Sequence, residues 1–246
     1  MWYRADLKAR AKTALRVNGY WTAVLVMLVI LVLTGGIGGA GSSGGPNLEY
    51  RVEQNDPAML FGQSQPLNSA IGFFIFSIGV LVIGYSVFVA TPLLVGKSRF
   101  FLEHRERPST VGRIFAPFTR GYLNVVKTML LQSLIVFLWS LLLIIPGIIK
   151  SFQYILVPYI LAENPEIEWR RALDLSRQMT DGIKFKIFVL GLSFIGWYLL
   201  AALTLGIGLI FIAPYTEATT AELYAHLREQ AIARGVTDER ELPGVA

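Results

Sequence analysis

The stretch NVVKTMLLQSLIVFLWSLLLIIPGIIKSFQYILVPYILAENP, residues 124–165, decides the fold of this chain. A helix needs about 20 apolar residues to cross a hydrocarbon core of about 30 Å, and this stretch is about twice that long. Pro146-Gly147 interrupts it near the middle, and a helix seldom continues through such a pair without a kink. We therefore predict two crossings, at 124–145 and 148–162, with a tight turn at Pro146-Gly147.

The composition of the whole chain is that of a polytopic membrane protein. Of its 246 residues, 54% are hydrophobic, and they occur in long blocks instead of a helical or strand period. The chain has no cysteine, which excludes disulfides, thiolate metal sites and cysteine nucleophiles. Its +5 formal charge comes from Lys and Arg beside apolar blocks, a pattern typical of membrane flanks and not of a nucleic-acid-binding surface.

Three similar units are visible along the chain. The stretch from Lys184 to Arg228 repeats the central design, with a tryptophan, a glycine-containing turn at 206–208, and a second arm broken by Pro-Tyr. The first unit carries Pro92 in its second arm. We predict an all-α transmembrane bundle of three helical hairpins in a single domain over 20–234, with a tail at 235–246. Its six spans are predicted at 20–39, 69–95, 124–145, 148–162, 185–205 and 207–222.

Charge predicts the orientation of the bundle. With six spans and both termini in the cytoplasm, every Lys and Arg except Arg51 and Lys150 lies inside. The outer loop is then 42–68, and the cytoplasmic segments are 97–123 and 163–184. A four-span arrangement would put Lys150, Arg170, Arg171, Arg177, Lys184 and Lys186 outside, so the positive-inside tendency favours six.

Basic amphipathic segments are predicted to lie on the inner membrane surface. Residues 1–19 place four basic side chains along one helical face; a cleaved signal peptide is the alternative for this segment. Phe100, Phe101, Phe115 and Phe118 indicate that the segment 97–123 lies along the headgroups, and residues 164–182 form an amphipathic helix. The candidate contacts to anionic lipids are Arg4, Lys8, Lys12, Arg16, Lys97, Arg99, Arg105, Arg107 and Arg113.

Glu217 is the most unusual polar residue, because it lies within or near the end of the sixth span. With Tyr215, Thr216 and Gln132 it forms a possible intramembrane polar site, since ionisable groups at membrane depth are costly. A structural role is the alternative, and Gln132 suits a hydrogen bond between helices. Lys150 is predicted to be an anchor at the outer face, or else a contact for an anionic headgroup.

Signatures of catalysis and of cofactor or metal binding are missing from the sequence. Gly36-x-Gly38-x-x-Gly41 matches a dinucleotide fingerprint by letter, but it follows an apolar helix and not a strand. His104 and His226 have no neighbours at metal-ligand spacing. We expect no cofactor, no metal and no enzymatic activity.

Three segments resemble the DUF975 family of bacterial integral membrane proteins. They are MWYRADLKARAK at the start, IIPGIIKSFQYILVPYILAENP in the centre, and LSFIGWYLLAALTLGIGLIFIAPY with the AELYAHL that follows. The resemblance implies a multi-spanning protein of the bacterial inner membrane, and it carries no settled activity.

The function we expect is a non-catalytic one: membrane-organising, lipid-associated or partner-binding. The lipid bilayer, with its anionic inner-leaflet lipids, is the expected partner; nucleic acid is not expected, and a homo-oligomer remains open. The alternative is a small-solute or ion permease or channel that uses Glu217 and the proline-broken helices. A membrane enzyme acting on lipids is the least favoured class, because no acid-base pair is evident.

Overall fold

The structure, a computed structural model, describes residues 3–34, 65–204 and 206–244. All regular structure in these ranges is helical, as the predicted all-α class requires. A π-helical segment at Ser86–Ala90 joins α3 to α4, and a 3₁₀ segment occupies Val111–Phe118. The α-helices are α1 Arg4–Asn18, α2 Tyr20–Leu33, α3 Gln65–Tyr85, α4 Thr91–Glu106, α5 Tyr122–Leu142, α6 Ile144–Gln153, α7 Val157–Glu163, α8 Trp169–Met179, α9 Lys184–Leu192, α10 Ile195–Leu203 and α11 Ile207–Ala233.

Two predictions fall wholly or partly outside these ranges. The glycine motif at 36–41 and the end of the predicted first span, 35–39, lie outside the described residues. The predicted outer loop at 42–68 does so as far as residue 64, and α3 begins at Gln65, earlier than the predicted start of the second span at residue 69.

Four helical stretches are long and apolar enough to cross a membrane: Gly72–Glu106, Tyr122–Leu142, Ile144–Glu163 and Lys184–Leu203. They overlap the predicted second to fifth spans. A fifth is added if α1 and α2 count as one bent span. The predicted sixth span is part of α11, which is not among the four because polar residues follow Pro214. These helices are those of a multi-spanning membrane protein.

The surface of α3 also suits a lipid environment. From residue 72 to residue 85 its apolar side chains point outward on every side, and Phe73, Phe76, Leu81 and Ile83 are each more than half exposed. A helix that is apolar all round belongs in the core of a large protein or in a bilayer.

The central reversal lies at Leu143, so the predicted turn at Pro146-Gly147 is wrong. α5 ends at Leu142, Leu143 is extended (φ −157°, ψ 137°), and α6 begins at Ile144. Pro146 falls in the first turn of α6, where a missing N–H leaves no helical hydrogen bond unmade. The arm after the reversal therefore spans Ile144–Glu163, 20 residues, and is longer than the predicted 148–162.

A glycine brings the two arms of each later hairpin close together. A Cβ on Gly147 would clash with Ser140 of the preceding arm, and a Cβ on Gly208 would lie 2.8 Å from the Cα of Ala201. The second reversal uses Gly206 in the left-handed region (φ 86°), within the predicted turn at 206–208. The central and final units thus share a reversal followed by close packing of a glycine on a small residue.

The prolines of the three second arms share another device. Proline lacks an N–H, so a carbonyl about one turn before it loses its helical partner. In the first two arms a side chain from a different helix donates a hydrogen bond to the freed carbonyl itself, and in the third it donates to the next carbonyl along the chain. The pairs are Tyr122 to Phe88 before Pro92 (2.7 Å), Gln132 to Tyr154 before Pro158 (3.2 Å), and Tyr20 to Phe211 before Pro214 (2.8 Å).

The predicted cytoplasmic segment 97–123 is not a surface loop throughout. α4 continues to Glu106, and Phe100 and Phe101 are buried at 0% and 1% exposure, so the prediction that they lie along the headgroups is wrong. The reason is that α4 lies against α1, α7, α11 and the 3₁₀ segment. The 3₁₀ segment comes so near at Gly96 that a Cβ there would clash with the carbonyl of Ile114.

The protein core lies where α4, α7 and α11 meet, and α1 and α8 pack around them. The largest fully buried side chains include Tyr224, Phe100, Ile160 and Leu175. α8 begins at Trp169, later than the start of the amphipathic helix predicted at 164–182. The side chain of Asn164 accepts the N–H of Glu166 (3.1 Å) in a local turn before it.

The C-terminal segment, residues 235–244, folds back onto the bundle. Leu242 is fully buried, and its carbonyl accepts a hydrogen bond from Arg228 (2.5 Å). Arg171 of α8 donates to both carboxylate oxygens of Glu241, at 2.7 and 2.8 Å. The predicted tail is therefore packed against α8 and α11 as far as Gly244.

Candidate functional site

A cavity of about 750 Å³, here called the basic cleft, opens between α1, α10 and α11. Lys12 and Arg16 line it from α1, and Tyr20, Trp197 and Tyr215 supply aromatic walls. Cations beside aromatic and apolar walls suit a ligand with an anionic head and an apolar body.

A bend between α1 and α2 places α1 beside the cleft. The two helices are inclined at 98°, and Gly19 joins them at φ 108°, which an L side chain rarely adopts. His104 of α4 fixes this corner: its Nδ1 accepts the N–H of Ser109 (3.4 Å), so its Nε2 carries the proton and donates to the Gly19 carbonyl (3.1 Å). If α2 crosses a membrane, α1 lies along the membrane surface.

The apolar face of α1 packs on protein. Leu7, Ala11 and Leu15 are each at most 3% exposed, because α1 lies against α4 and α11. Asn18 adds a hydrogen bond to the carbonyl of His104 (2.6 Å). The helix expected to rest on the membrane is therefore held by the bundle, and its basic edge keeps a fixed position.

That basic edge borders the aromatic residues of the last hairpin. Lys8 donates to the carbonyl of Ser193 (3.2 Å) and lies 4.0 Å from the ring centroid of Phe194. Lys12 lies 5.6 Å from the ring of Tyr215. Arg4 and Arg16 are exposed. Of the four predicted lipid contacts on α1, Lys12 and Arg16 thus line the basic cleft.

Glu217 is engaged by partners from two other second arms. Its carboxylate accepts a hydrogen bond from Lys97 of α4 at 2.6 Å and another from the Tyr159 hydroxyl of α7 at 3.3 Å. The Lys97 and Glu217 side chains are 16% and 23% exposed. The ion pair joins α4 to α11, and the hydrogen bond from Tyr159 adds α7, so the two contacts link the three helices that form the core.

The four residues predicted as one intramembrane polar site are separated in the fold. Tyr215 lines the basic cleft. The Thr216 hydroxyl donates to the Ala213 carbonyl within α11 (2.9 Å). Gln132 donates from α5 to the break between α6 and α7, while Glu217 pairs with Lys97.

The predicted lipid contacts beyond α1 are mostly bound inside the protein. Arg99 and Arg113 share the buried carboxylate of Glu103, at 3.1 and 2.9 Å. Arg105 pairs with Glu222 of α11 at 3.1 Å. Arg107 is exposed. Arg99, Arg105 and Arg113 thus join α4 to its neighbours, and the carboxylates of Glu103 and Glu222 partly balance their charges.

Lys150 lies beside aromatic rings of its own hairpin. Its Nζ is 5.2 Å from the ring of Trp139 and 5.6 Å from that of Tyr154. Amphipathic aromatic and lysine side chains of this kind are common at the boundary between bilayer and water.

The partners of Glu217 could not be found from the sequence. Lys97 and Tyr159 lie far from Glu217 along the chain, and no local pattern links them. One signal was available: each residue of the cluster lies within five residues after the proline of its own second arm.

A family model described as "Protein of unknown function (DUF975)" matches residues 69–231. The chain belongs to the DUF975 family. Comparison with curated proteins and with solved structures found no match. The family match includes Trp197, Tyr215 and Glu217 and begins after α1 and α2, so the α1 side of the basic cleft lies outside the matched region of this DUF975 protein.

Over residues 3–34, 65–204 and 206–244, no group of three or more His, Asp or Glu side chains is placed to hold a metal ion. His104 is occupied by the contacts to Gly19 and Ser109.

Proposed function

We propose that this DUF975 protein is a non-catalytic, multi-pass protein of the bacterial inner membrane that associates with anionic phospholipids of the inner leaflet. The observation that carries the proposal is the basic cleft. Lys12 and Arg16 would hold a lipid phosphate, and Tyr20, Trp197 and Tyr215 would border its glycerol and acyl portion.

The geometry of α1 supports this assignment. Its perpendicular course relative to α2 would place Lys12 and Arg16 at headgroup depth. Because the other face of α1 is bound to α4 and α11, the two cations need little ordering when a lipid binds, and preorganisation of this kind improves affinity.

A six-span topology with both termini in the cytoplasm is part of the proposal. Three contacts support it, because they bring starts and ends of arms to one side of the bundle. The start of α2 lies beside the end of α4 through Gly19 and His104. Asn124 at the start of α5 binds the carbonyl of Pro165 after α7 (2.9 Å), and Glu163 at the end of α7 binds Arg228 of α11 (3.1 Å).

A small-solute or ion permease is the second candidate. It would use Glu217, which lies where the three proline-containing arms meet. Against it, Glu217 is neutralised by Lys97 at 2.6 Å, and the basic cleft is lined by other residues. We therefore assign Glu217 to holding the bundle together.

The fluorescence of Trp197 tests the lipid proposal, because this ring lines the cleft. In a background with Trp2, Trp21, Trp139 and Trp169 replaced by Phe, the protein is reconstituted with equal fractions of brominated phosphatidylglycerol or brominated phosphatidylcholine. We expect stronger quenching by the anionic lipid. The double substitution Lys12→Gln and Arg16→Gln should make the two lipids equivalent.

The matched control removes two exposed charges outside the cleft, with Lys186→Gln and Arg240→Gln, and should keep the preference for phosphatidylglycerol. Equal quenching by both lipids in the parent protein would refute the proposal. So would a preference that survives the loss of Lys12 and Arg16.

A further inference from the structure

A second cavity, of about 410 Å³, lies between α4, the 3₁₀ segment, the end of α7 and the C-terminal segment. It is called the arginine pocket here, because Arg99, Arg113 and Arg120 line it from three positions. Ala162 and Pro243 are among the residues of its other walls. Cavities of this size hold small ligands.

The charge inside the arginine pocket is positive. Glu163 is the acidic residue of its lining, and it is bound by Arg228 at 3.1 Å. Glu103, outside the lining, accepts one ion pair each from Arg99 and Arg113. One carboxylate shared between two guanidinium groups leaves a surplus of positive charge, and Arg120 adds to it.

Arg99 and Arg113 have more N–H donors than their contacts to Glu103 and Ala162 use. A guanidinium carries five N–H groups. Among the described residues, Arg99 uses its Nε on Glu103 and an Nη1 on the carbonyl of Ala162 (3.1 Å), and Arg113 uses its Nε on Glu103. The remaining Nη groups of both side chains are those that form bidentate contacts with tetrahedral oxyanions.

The position of Arg120 is fixed by its neighbour. Gly121 adopts φ 62°, and a Cβ there would lie 2.5 Å from the carbonyl oxygen of Pro165. This close packing holds the start of α5 against the residues after α7, with Arg120 at the rim of the pocket. Glu103, which is 2% exposed, orients Arg99 and Arg113 through its ion pairs with both.

We propose that the arginine pocket binds a phosphate-bearing anion. Three guanidinium groups that converge on a cavity with one neutralised acid are suited to a group with several acceptor oxygens and up to two charges. The phosphate can come from a lipid headgroup or from a soluble phosphorylated molecule, since both present the same oxygens. This site is distinct from the basic cleft and goes beyond the lipid association proposed above.

Two binding measurements on the full-length protein test the pocket and separate the two sources. Equilibrium dialysis of detergent-purified protein with radiolabelled pyrophosphate and orthophosphate probes a soluble anion. Native mass spectrometry after exchange into micelles containing phosphatidic acid or phosphatidylcholine probes a headgroup. We expect at least one phosphate probe to bind, with affinity that falls about tenfold in Arg120→Gln, as loss of one charge-assisted hydrogen bond would produce.

Arg120→Gln is the decisive variant, because Arg120 is exposed and its loss leaves the Glu103 ion pairs intact. Arg120→Lys keeps the positive charge but loses the planar pair of N–H donors, so the protein should bind phosphate with intermediate affinity. Arg177→Gln, an exposed change of equal charge on α8, is the control and should bind like the parent. Lys12→Gln with Arg16→Gln should leave the binding of pyrophosphate and orthophosphate unchanged. The phosphatidic acid measurement is made in this double variant, because the basic cleft is itself proposed to hold anionic lipid, so the two proposals fail or stand separately.

Binding of pyrophosphate or orthophosphate alone would identify a soluble ligand, and retention of phosphatidic acid alone would identify a headgroup. The proposal is overturned if neither class of probe binds. An equal loss of affinity in Arg120→Gln and Arg177→Gln would also overturn it, because the effect would then be one of general charge.

Discussion

Single residues decide how closely the helices of this protein approach one another, and Gly96 is the clearest case. Any side chain there meets the backbone of Ile114, which belongs to a separate segment and cannot move as a flexible side chain would. We expect Gly96→Ala to lower the stability of the folded protein by about 1–3 kcal/mol, as overpacking of a filled interior does. The measurement is the thermal unfolding midpoint in detergent.

Gly79→Ala in α3 is the matched control, because a Cβ at Gly79 has nothing within 4 Å. It should leave the midpoint unchanged or raise it slightly, since alanine favours a helix more than glycine. An equal effect of the two substitutions would contradict the close packing of the 3₁₀ segment on α4.

The ion pair between Lys97 and Glu217 predicts energetic coupling between α4 and α11. In a double-mutant cycle with Lys97→Met and Glu217→Gln, the unfolding free energies should show a coupling of about 1–2 kcal/mol. The pair is less than one quarter exposed, so solvent screens it only in part. Additive effects of the two substitutions would show that the pair does not hold the helices together.

At the residue scale, the sequence showed which side chains are unusual but not what they touch. Glu217 stood out because of its position in an apolar stretch. The sequence predicts its partner Lys97 to be a lipid contact. Side chains that meet only through tertiary packing are far apart in the sequence, so their spacing does not reveal the contact. The prediction for Phe100 and Phe101 is wrong for the same reason, since packing of α4 on segments distant in the sequence buries them.

Among the elements, the C-terminal segment and α8 form a contact that depends on pH. Hydrogen bonds from Arg171 lower the pKa of Glu241 below its ordinary value of 4.5. A carboxylate whose pKa is lowered by folding stabilises the folded state above its unfolded pKa, and that stabilisation is lost as the pH falls through the lowered value. The segment 235–244 should therefore be protected at pH 7 and loosen as the pH falls below about 4.5.

Hydrogen exchange of peptides from 235–244, corrected for the intrinsic rate at each pH, checks this expectation. Arg171→Gln should show the loosened behaviour already at pH 7. Arg177→Gln, a change of equal charge at an exposed position of α8, should behave like the parent. Protection that is independent of pH in the parent would contradict the role of this pair.

The helices that could be predicted from the sequence are those marked by a long run of apolar residues. Residues 122–142 and 184–203 lie close to the predicted spans at 124–145 and 185–205. The reversal at Leu143 was misplaced, because a proline in the first turn of a helix looks the same in sequence as a proline in a turn. Tyr122 and Gln132 from α5 stabilise the π-helical segment before Pro92 and the break before Pro158. Such tertiary partners cannot be inferred from the irregular segment alone.

At the scale of the whole molecule, the second arms of the three units converge at Glu217, which Lys97 and Tyr159 contact. The ion pairs of Glu103, Glu163, Glu222 and Glu241 connect the elements packed around them. The periodic recurrence of Pro-containing arms predicted three units, and the charge asymmetry predicted one basic side. How the units pack depends on close contacts such as those at Gly96 and Gly147, and no repeat pattern specifies them.

In the proposed topology, six arms alternate across the membrane and bring α8 to the same side as both termini. Because the chain has no cysteine, a single cysteine at Asp174, exposed on α8, can be labelled in intact cells with a membrane-impermeant thiol reagent. A cysteine at Gln54, in the predicted outer loop, is the control. We expect labelling at Gln54→Cys and protection at Asp174→Cys until the cells are permeabilised. Labelling of both in intact cells would contradict the six-span topology and indicate four spans.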